Sequence, residues 1–482
     1  MAMLGKRRPR RERSGVSGLQ GRQAPRGASV GGRRDDELSG VTVERLAHDG
    51  RGLAHDAAGK ALFVEGALAG ERVAVALHRT RKRFDEGHVR EIFAPSPERV
   101  TPPCAHFGRC GGCDLQHMAV PAQRRHKQTV LVDLLARQGI EVAAEPELLA
   151  GAPVGYRRRA RLGVKVDAEG RVHLGFRARH SHRLVDIEDC PILVPSLAAL
   201  LAPLHRCVAT LAAPRLVGHL ELLDSDPGPV LVVRQLKEHA ADRARWQAFA
   251  ADHELHLAWL GGRESPALEW LTPAPALSCR VPAARPAADE LTLGFAPGDF
   301  LQANGEVNRL MVSTALAWLG DLEGASLLDL FAGVGNFSLP LASAGARVTA
   351  VEGSPAMVER LADNAHANRL PVVARQADLS REAAVTDLLQ EKGAEVVVLD
   401  PPRAGAESAC RALVATPVAR VLYVACDAAT LARDAAHLVH GGYRPVRLAV
   451  ADMFVHTSHL ESMLLFEHSR IGQQRQGASP DG

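Results

Sequence analysis

Cys426 closes the run RVLYVACD (420–427), an apolar stretch that ends in polar residues. A thiol at the end of a buried strand is placed to meet a substrate, and its thiolate is a nucleophile. An isolated buried cysteine is more often a small hydrophobe, so Cys426 gains meaning only from its company. Other apolar runs close on acids in the same way: Asp329 in SLLDLFAGVGNFSLPLA (326–342), Glu352 in RVTAVE (347–352) and Asp400 in EVVVLDPPR (395–403). Downstream, HTSHLES (456–462) offers Glu461 as a proton acceptor, provided that the fold brings it within hydrogen-bonding reach. Its other reading is a plain surface carboxylate, and position alone does not decide between them.

A different chemistry is written in CAHFGRCGGC (104–113), where Cys104, Cys110 and Cys113 fall inside ten positions. Clustered thiols point to a metal. Zinc would take His106 or His117 as its fourth ligand, although paired C-x2-C elements are usual and only one is present. The other candidate is Cys190 in EDCPIL, which is followed by proline, as is a cluster ligand of bacterial ferredoxins. Spacing alone divides zinc and iron–sulfur about evenly. The eight cysteines are not expected to form a disulfide framework in a reducing compartment.

These residues need elements to hold them. From about Gly298 apolar strands alternate with helical stretches, which implies a parallel sheet. In open sheets of that kind ligands lie beyond the carboxyl ends of the strands, so Asp329, Glu352, Asp400 and Cys426 are expected to face one crevice. The turn Gly333-Val334-Gly335-Asn336 allows close backbone approach, but Ser338 stands where a dinucleotide fingerprint has its third glycine. Glu352 follows at the place of a ribose-binding acid. A nucleoside without phosphates fits better, and S-adenosylmethionine is one, its sulfonium attracted by nearby acids.

Upstream the texture differs. Residues 1–34 hold ten Arg or Lys against the single acid Glu12, in a chain whose net charge is only +3. Residues 1–39 are therefore expected to be a disordered basic tail, either solubilising or a nonspecific RNA tether. Residues 40–95 alternate short β-type runs with glycine turns, the rhythm of a small barrel, with Arg79, Arg81, Lys82 and Arg83 beside it. Residues 96–297 form a central unit with the cysteine cluster, an amphipathic helix near 123–138 and arginine-rich strands, YRRRARLGV (156–164) among them. Those arginines read as exposed strand faces or as RNA contacts. The proline-rich stretch 273–297 reads as a linker, 298–468 as the catalytic domain and 469–482 as a disordered tail. No run approaches a membrane span, and the charged N-terminus lacks the apolar core of a secretory signal. A cytoplasmic monomer is expected.

Taken in order, DFLQAN (299–304), LLDLFAGVGNFSLPLA, LDPPRAG (399–405), VLYVACDAATLARD (421–434) and DMFVHTSHLESMLLF (452–466) resemble the motifs of the RNA uracil-5-methyltransferases. The first barrel resembles a TRAM domain, an OB-like RNA-binding fold. With the cysteine cluster it narrows the resemblance to the RumA/RlmD type, which acts on 23S ribosomal RNA. The resemblance covers about residues 40–468. It implies a multidomain α/β chain with an OB-like TRAM barrel, a central α+β iron–sulfur domain and a Rossmann-like class I methyltransferase. It implies that Cys426 adds to carbon 6 of uracil, making carbon 5 nucleophilic toward the methyl donor, and that Glu461 then removes the carbon-5 proton. It further implies S-adenosylmethionine contacts from Gln302, Phe331, Asn336, Glu352, Asp378 and Asp400, with Phe300 lining the same pocket. Together with the four thiols and the Gly111-Gly112 turn, it favours a [4Fe-4S] cluster on Cys104, Cys110, Cys113 and Cys190, leaving both histidines as bystanders.

Two departures stand out. The family usually reads Ser-Cys-Asn-Pro around its nucleophile, whereas this chain reads Ala425-Cys426-Asp427-Ala428. An unscreened acid beside the thiol is expected to raise its pKa. Val455 replaces a usual proline and is expected to change loop stiffness only. Competing readings are an amine methyltransferase, against which stand the crevice thiol and Arg403 in place of a stacking aromatic, and a radical enzyme, which needs an open cluster iron. Others are a different ribosomal uridine or a transfer RNA as target, and a noncatalytic RNA-binding assembly protein.

Overall fold

The computed structural model describes residues 37–142, 144–262, 267–284 and 290–469. Both expected tails fall mostly outside these residues. At the N-terminal end six strands form one sheet: Glu37–Thr42, Arg45–Leu46, Gly52–His55, Ala61–Glu65, Arg72–Thr80 and Phe84–Ala94. Alternation turns Leu62, Val64, Val73 and Val75 onto a core shared with Val43 and Ala54. The first strand starts at Glu37 rather than at 40, because Leu38 pairs with Val75 and packs on this core.

A seven-stranded sheet follows, in the order Leu184–Asp186, Val172–Arg177, Arg159–Val166, Val217–Leu223, Val230–Gln235, His256–Gly261, Ala267–Trp270. Its parallel pair, Val230–Gln235 with His256–Gly261, is joined by the helix Ala240–Asp252, which buries Trp246 and Phe249. The stretch read as a linker is instead a hairpin. Strands Ser278–Pro282 and Glu290–Gly294 pair, and their inward residues Cys279, Val281, Leu291 and Leu293 are buried. Pro282 ends the first of these strands without interrupting that alternation.

The C-terminal sheet has eight strands: β1 (Glu147–Leu149), β2 (Ser326–Leu330), β3 (Arg347–Glu352), β4 (Val372–Gln376), β5 (Val396–Leu399), β6 (Arg420–Ala425), β7 (Tyr443–Ala451) and β8 (Glu461–His468). Their order is β4-β3-β2-β5-β6-β8-β7-β1. The β2–β6 part is parallel, with helices on both faces, so β5 is apolar at every position and wholly buried. β8 runs antiparallel between β6 and β7.

Two elements expected in the central unit pack with this sheet. Helix α1 (Val120–Arg137) buries Val130, Leu131 and Leu135 in the core that holds β5 and β6, and β1 adds a parallel edge strand to β7. The segment after the cysteine cluster is thus tied to the C-terminal sheet before the chain returns to the central sheet. Among the described residues no helix is long and apolar enough to cross a membrane.

Candidate active site and cysteine cavity

The carboxyl ends of β2, β3, β5 and β6 open on a cavity of about 620 Å³. Phe331 follows β2 with φ of 66°, a left-handed backbone that a non-glycine residue adopts only when its surroundings impose it. Gly335, at φ 106°, permits the next bend, and a Cβ there would collide with Leu339 Cδ1. Asn336 exchanges two hydrogen bonds with Asn308, at 2.8 and 3.0 Å, which fixes its amide at the cavity wall.

Glu352 closes β3 and accepts from the backbone N–H groups of Gly333, Gly353 and Ser354. Three donors lock its carboxylate across the turn and leave lone pairs for a hydroxyl. Gln302 lies buried in the opposite wall, where Arg158 Nε donates to its carbonyl at 2.7 Å. Asn304 caps the helix Gly305–Leu319, accepting from Val307 N–H. Asp378 sits at the exposed rim, its carboxylate lowered by the hydroxyl and N–H of Ser380.

Asp329 corrects the expectation. It does not line the cavity, because β2 extends one residue further to Leu330 and Asp329 turns into the interior, 1% exposed. Ser338 donates its hydroxyl to the Asp329 carboxyl, so the residue in place of the third glycine braces the turn from beneath. Burial pushes the Asp329 carboxyl up to about 7.

The reactive lip is formed by β5, β6 and β8. Asp400 follows β5, and burial, with Asp329 behind it, pushes its carboxyl up to about 7. Glu461 opens β8, 3% exposed, and burial together with Asp400 pushes it up to about 8. Cys426 follows β6, half-buried, and burial, Glu461 and Asp400 push its thiol up to about 11. Arg403, after the two prolines that follow Asp400, lines the same lip and pulls both Cys426 and Glu461 back down. Phe300, 65% exposed, forms the facing wall.

Asp427 does not act as expected. Its carboxylate accepts from Ala429 N–H at 3.1 Å and Thr430 N–H at 2.9 Å, capping the helix Ala428–His440. Aspartate and asparagine are equally good caps, so the departure from the family pattern is spent on the helix start. Val455 is buried in the core of the central unit and its carbonyl accepts from Tyr156 Oη at 2.8 Å.

Two arginines of YRRRARLGV are engaged within the protein, while Arg161 is exposed. Arg158 holds Gln302, and Arg159 donates to Glu221 and to the carbonyl of Asp299. The central sheet thereby braces the segment 299–304 against the crevice. In the first sheet Arg79 and Arg81 lie 3.6 and 3.5 Å from Glu86.

Cys104, Cys110, Cys113 and Cys190 line a second cavity of about 260 Å³, closed by Phe107, Gln116 and Phe176. Gly111 permits the approach of the next strand, its N–H donating to Arg177 O at 2.9 Å, where a Cβ would also stand 2.9 Å from that oxygen. Burial and the other three thiols push Cys113 up to about 12, so four thiolates would be costly here without a cation. No three His, Cys, Asp or Glu groups among the described residues converge on a single ion. His106 and His117 stand outside the lining, and burial holds the His117 imidazole down to about 4 beside Phe107.

What the sequence reading missed is the anchor at the start of the segment that leads into β8. Asp452, fully buried, pairs with Lys127 Nζ at 2.7 Å and Arg124 Nε at 2.9 Å, both from α1. Arg124, Lys127 and Asp452 were separated by more than 300 positions, and only an internal Lys on an apolar helix face hinted at a partner.

Comparison with known proteins places this geometry. The family model "tRNA (Uracil-5-)-methyltransferase" matches residues 287–469 and the TRAM domain model matches 40–89. The chain is 61% identical to the 23S rRNA (uracil(1939)-C(5))-methyltransferase RlmD of Halomonas elongata over all of both chains. It is 41% identical to the RlmD of Pectobacterium atrosepticum, covering 89% of this chain and 93% of that one. Its fold is that of the Pyrococcus abyssi tRNA (uracil-54, C5)-methyltransferase, solved with S-adenosyl-L-homocysteine, at a TM-score of 0.69 and 21% identity over 89% of this chain and 100% of that one.

Proposed function

The chain belongs to the RlmD family of 23S rRNA (uracil-C5)-methyltransferases, and we propose that it methylates the uridine equivalent to uracil 1939, for which its relatives are named. The methyl donor is S-adenosylmethionine. The observation that carries the reading is that one cavity joins Cys426 and Glu461 at one lip to Gln302, Phe331, Asn336 and Glu352 along its walls.

Gln302, Phe331, Asn336 and Glu352 would hold the donor, with Asp378 toward its base. Its sulfonium supplies the methyl group. The target uridine leaves its stack and enters between Phe300 and Asp400. Cys426 adds as the thiolate to carbon 6, and the electron pair released at carbon 5 attacks the methyl carbon. Glu461 then takes the carbon-5 proton as its carboxylate, and the returning electron pair expels the Cys426 thiolate. Arg403 favours the anionic forms of both groups.

The cysteine cavity is proposed to hold a [4Fe-4S] cluster on Cys104, Cys110, Cys113 and Cys190. With a protein thiolate on every iron, the cluster would supply a cross-link between the loop 104–113 and residue 190, stapling the central unit. Basic side chains around the first sheet hold flanking phosphates, which makes affinity for RNA fall with salt.

Labelled donor incubated with 23S rRNA lacking the modification tests the function. Incorporation confined to one uridine, mapped as 5-methyluridine, is expected. RNA binding without incorporation would support the assembly-protein reading, and incorporation into transfer RNA alone would reassign the substrate.

A further inference from the structure

Behind the reactive lip lies the segment Asp452–Leu460, which joins β7 to β8 and delivers Glu461. We propose that Asp114, next to the cluster-bearing Cys113, is a positioning residue that holds this segment so that Glu461 is aimed at the carbon-5 proton. The inference rests on the roles given above to Cys426 and Glu461, and it makes the cysteine loop part of the machinery of one step, proton removal.

Asp114 grips the segment at two points. Its Oδ1 accepts from Ser458 N–H at 2.8 Å and its Oδ2 from Ser458 Oγ at 3.0 Å. The N–H groups of Asp114 and Leu115 both donate to the carbonyl of His456, at 3.0 and 2.9 Å. His456 has φ of 68°, and a residue with a side chain keeps that backbone only where its neighbours enforce it. Gln123, fully buried on α1, completes the enforcement: its Oε1 accepts from His456 N–H at 2.9 Å, while its Nε2 donates to Leu115 O and Met118 O. One amide therefore ties the chain after the cysteines to the chain before Glu461.

Only His459 and Leu460 separate Ser458 from Glu461, and the buried Glu461 carboxyl has little room to reorient on its own. The nucleophile is held from elsewhere, by β6 and by the Asp427 cap. Loosening the grip of Asp114 displaces the base and leaves the thiol in place. Adduct formation and methyl transfer then proceed, and the methylated adduct waits for its proton to be removed.

The full-length chain carrying Asp114→Ala, Asp114→Asn or Ser458→Ala is compared with Cys426→Ala and Glu461→Gln. For Asp114→Ala, kcat falls about 10- to 100-fold, as for a small misplacement of a reacting group. KM for RNA stays within about twofold of the parent, and a protein–RNA adduct stable to denaturant accumulates as in Glu461→Gln. Asp114→Asn keeps an acceptor for Ser458 N–H and restores most of kcat, and iron content equals that of the parent. Normal turnover by Asp114→Ala, or loss of activity with raised KM and no adduct, overturns the inference. If Asp114→Ala loses iron or fails to fold, Ser458→Ala decides by the same criteria, since it lies away from the thiols. Absence of adduct in Glu461→Gln would overturn the reading of the site itself, whereas adduct there but not in the Asp114 and Ser458 variants overturns this inference alone.

Discussion

Cys426 and Glu461 stand opposite each other, one residue beyond Ala425 and Ser462, the last paired positions of antiparallel β6 and β8. The register of two strands thus sets the distance between nucleophile and base. A one-residue slip in that register would turn every side chain of the strand to the other face.

Removing the nucleophile is predicted to remove the reaction. Cys426→Ala should lower methyl transfer by at least about 10⁴-fold, since a group acting as one unit with its base cannot be replaced by the base alone. Donor binding by equilibrium titration should stay within about twofold, because the proposed donor-binding residues Gln302, Phe331, Asn336 and Glu352 lie on other elements than β6. Measurable turnover by the mutant would reject covalent catalysis.

The pH dependence has a fixed sign. Glu461 and Cys426 are both pushed up, to about 8 and about 11, and both must lose a proton to act. kcat/KM should therefore rise from pH 6 to pH 9. Arg403→Met removes the cation that opposes these shifts, so the rising limb should move to higher pH by about one unit. An unmoved or downward-shifted limb would show that Arg403 does not act on these groups.

Asp452→Ala should destabilise the fold by about 3–5 kcal/mol, because Lys127 would be left charged in the interior. Against the cost of burial, Lys127 and Arg124 hold the Asp452 carboxyl below its ordinary range. The stability it contributes is present at neutral pH and lost as pH falls through that lowered value. Denaturant midpoints of parent and mutant should therefore converge on acidification.

Anaerobically purified protein should be brown, with about four irons and four sulfides per chain. Cys190→Ser should lose at least about half of the iron, since one of the four thiolates goes. Colourless protein with stoichiometric zinc would contradict the assignment.

Much of this site was legible because apolar runs ending in a polar residue mark the carboxyl ends of parallel strands. That pattern found Glu352, Asp400 and Cys426. It failed by one residue at Asp329, since a run that continues through Leu330 to Phe331 does not show where the backbone turns left-handed. Asp427 was misread because an acid beside a thiol and an acid capping a helix look alike until the direction of the side chain is known. The arginines 158 and 159 spell a basic stretch, yet their guanidinium groups are used on Gln302, Glu221 and Asp299. The hairpin 278–294 was hidden by its prolines. The pairing of Cys426 with Glu461 depends on the register of two strands, and the grip of α1 on Asp452 on contacts across more than 300 positions, neither of which a local pattern records.

The most direct test is mass spectrometry of Glu461→Gln incubated with donor and a 23S rRNA fragment containing the target uridine. The account predicts a uridine already methylated at carbon 5 and still bonded through carbon 6 to Cys426, with release slowed by about 10²- to 10⁴-fold. Free 5-methyluridine formed at the parental rate, with no peptide–RNA bond at Cys426, would contradict it.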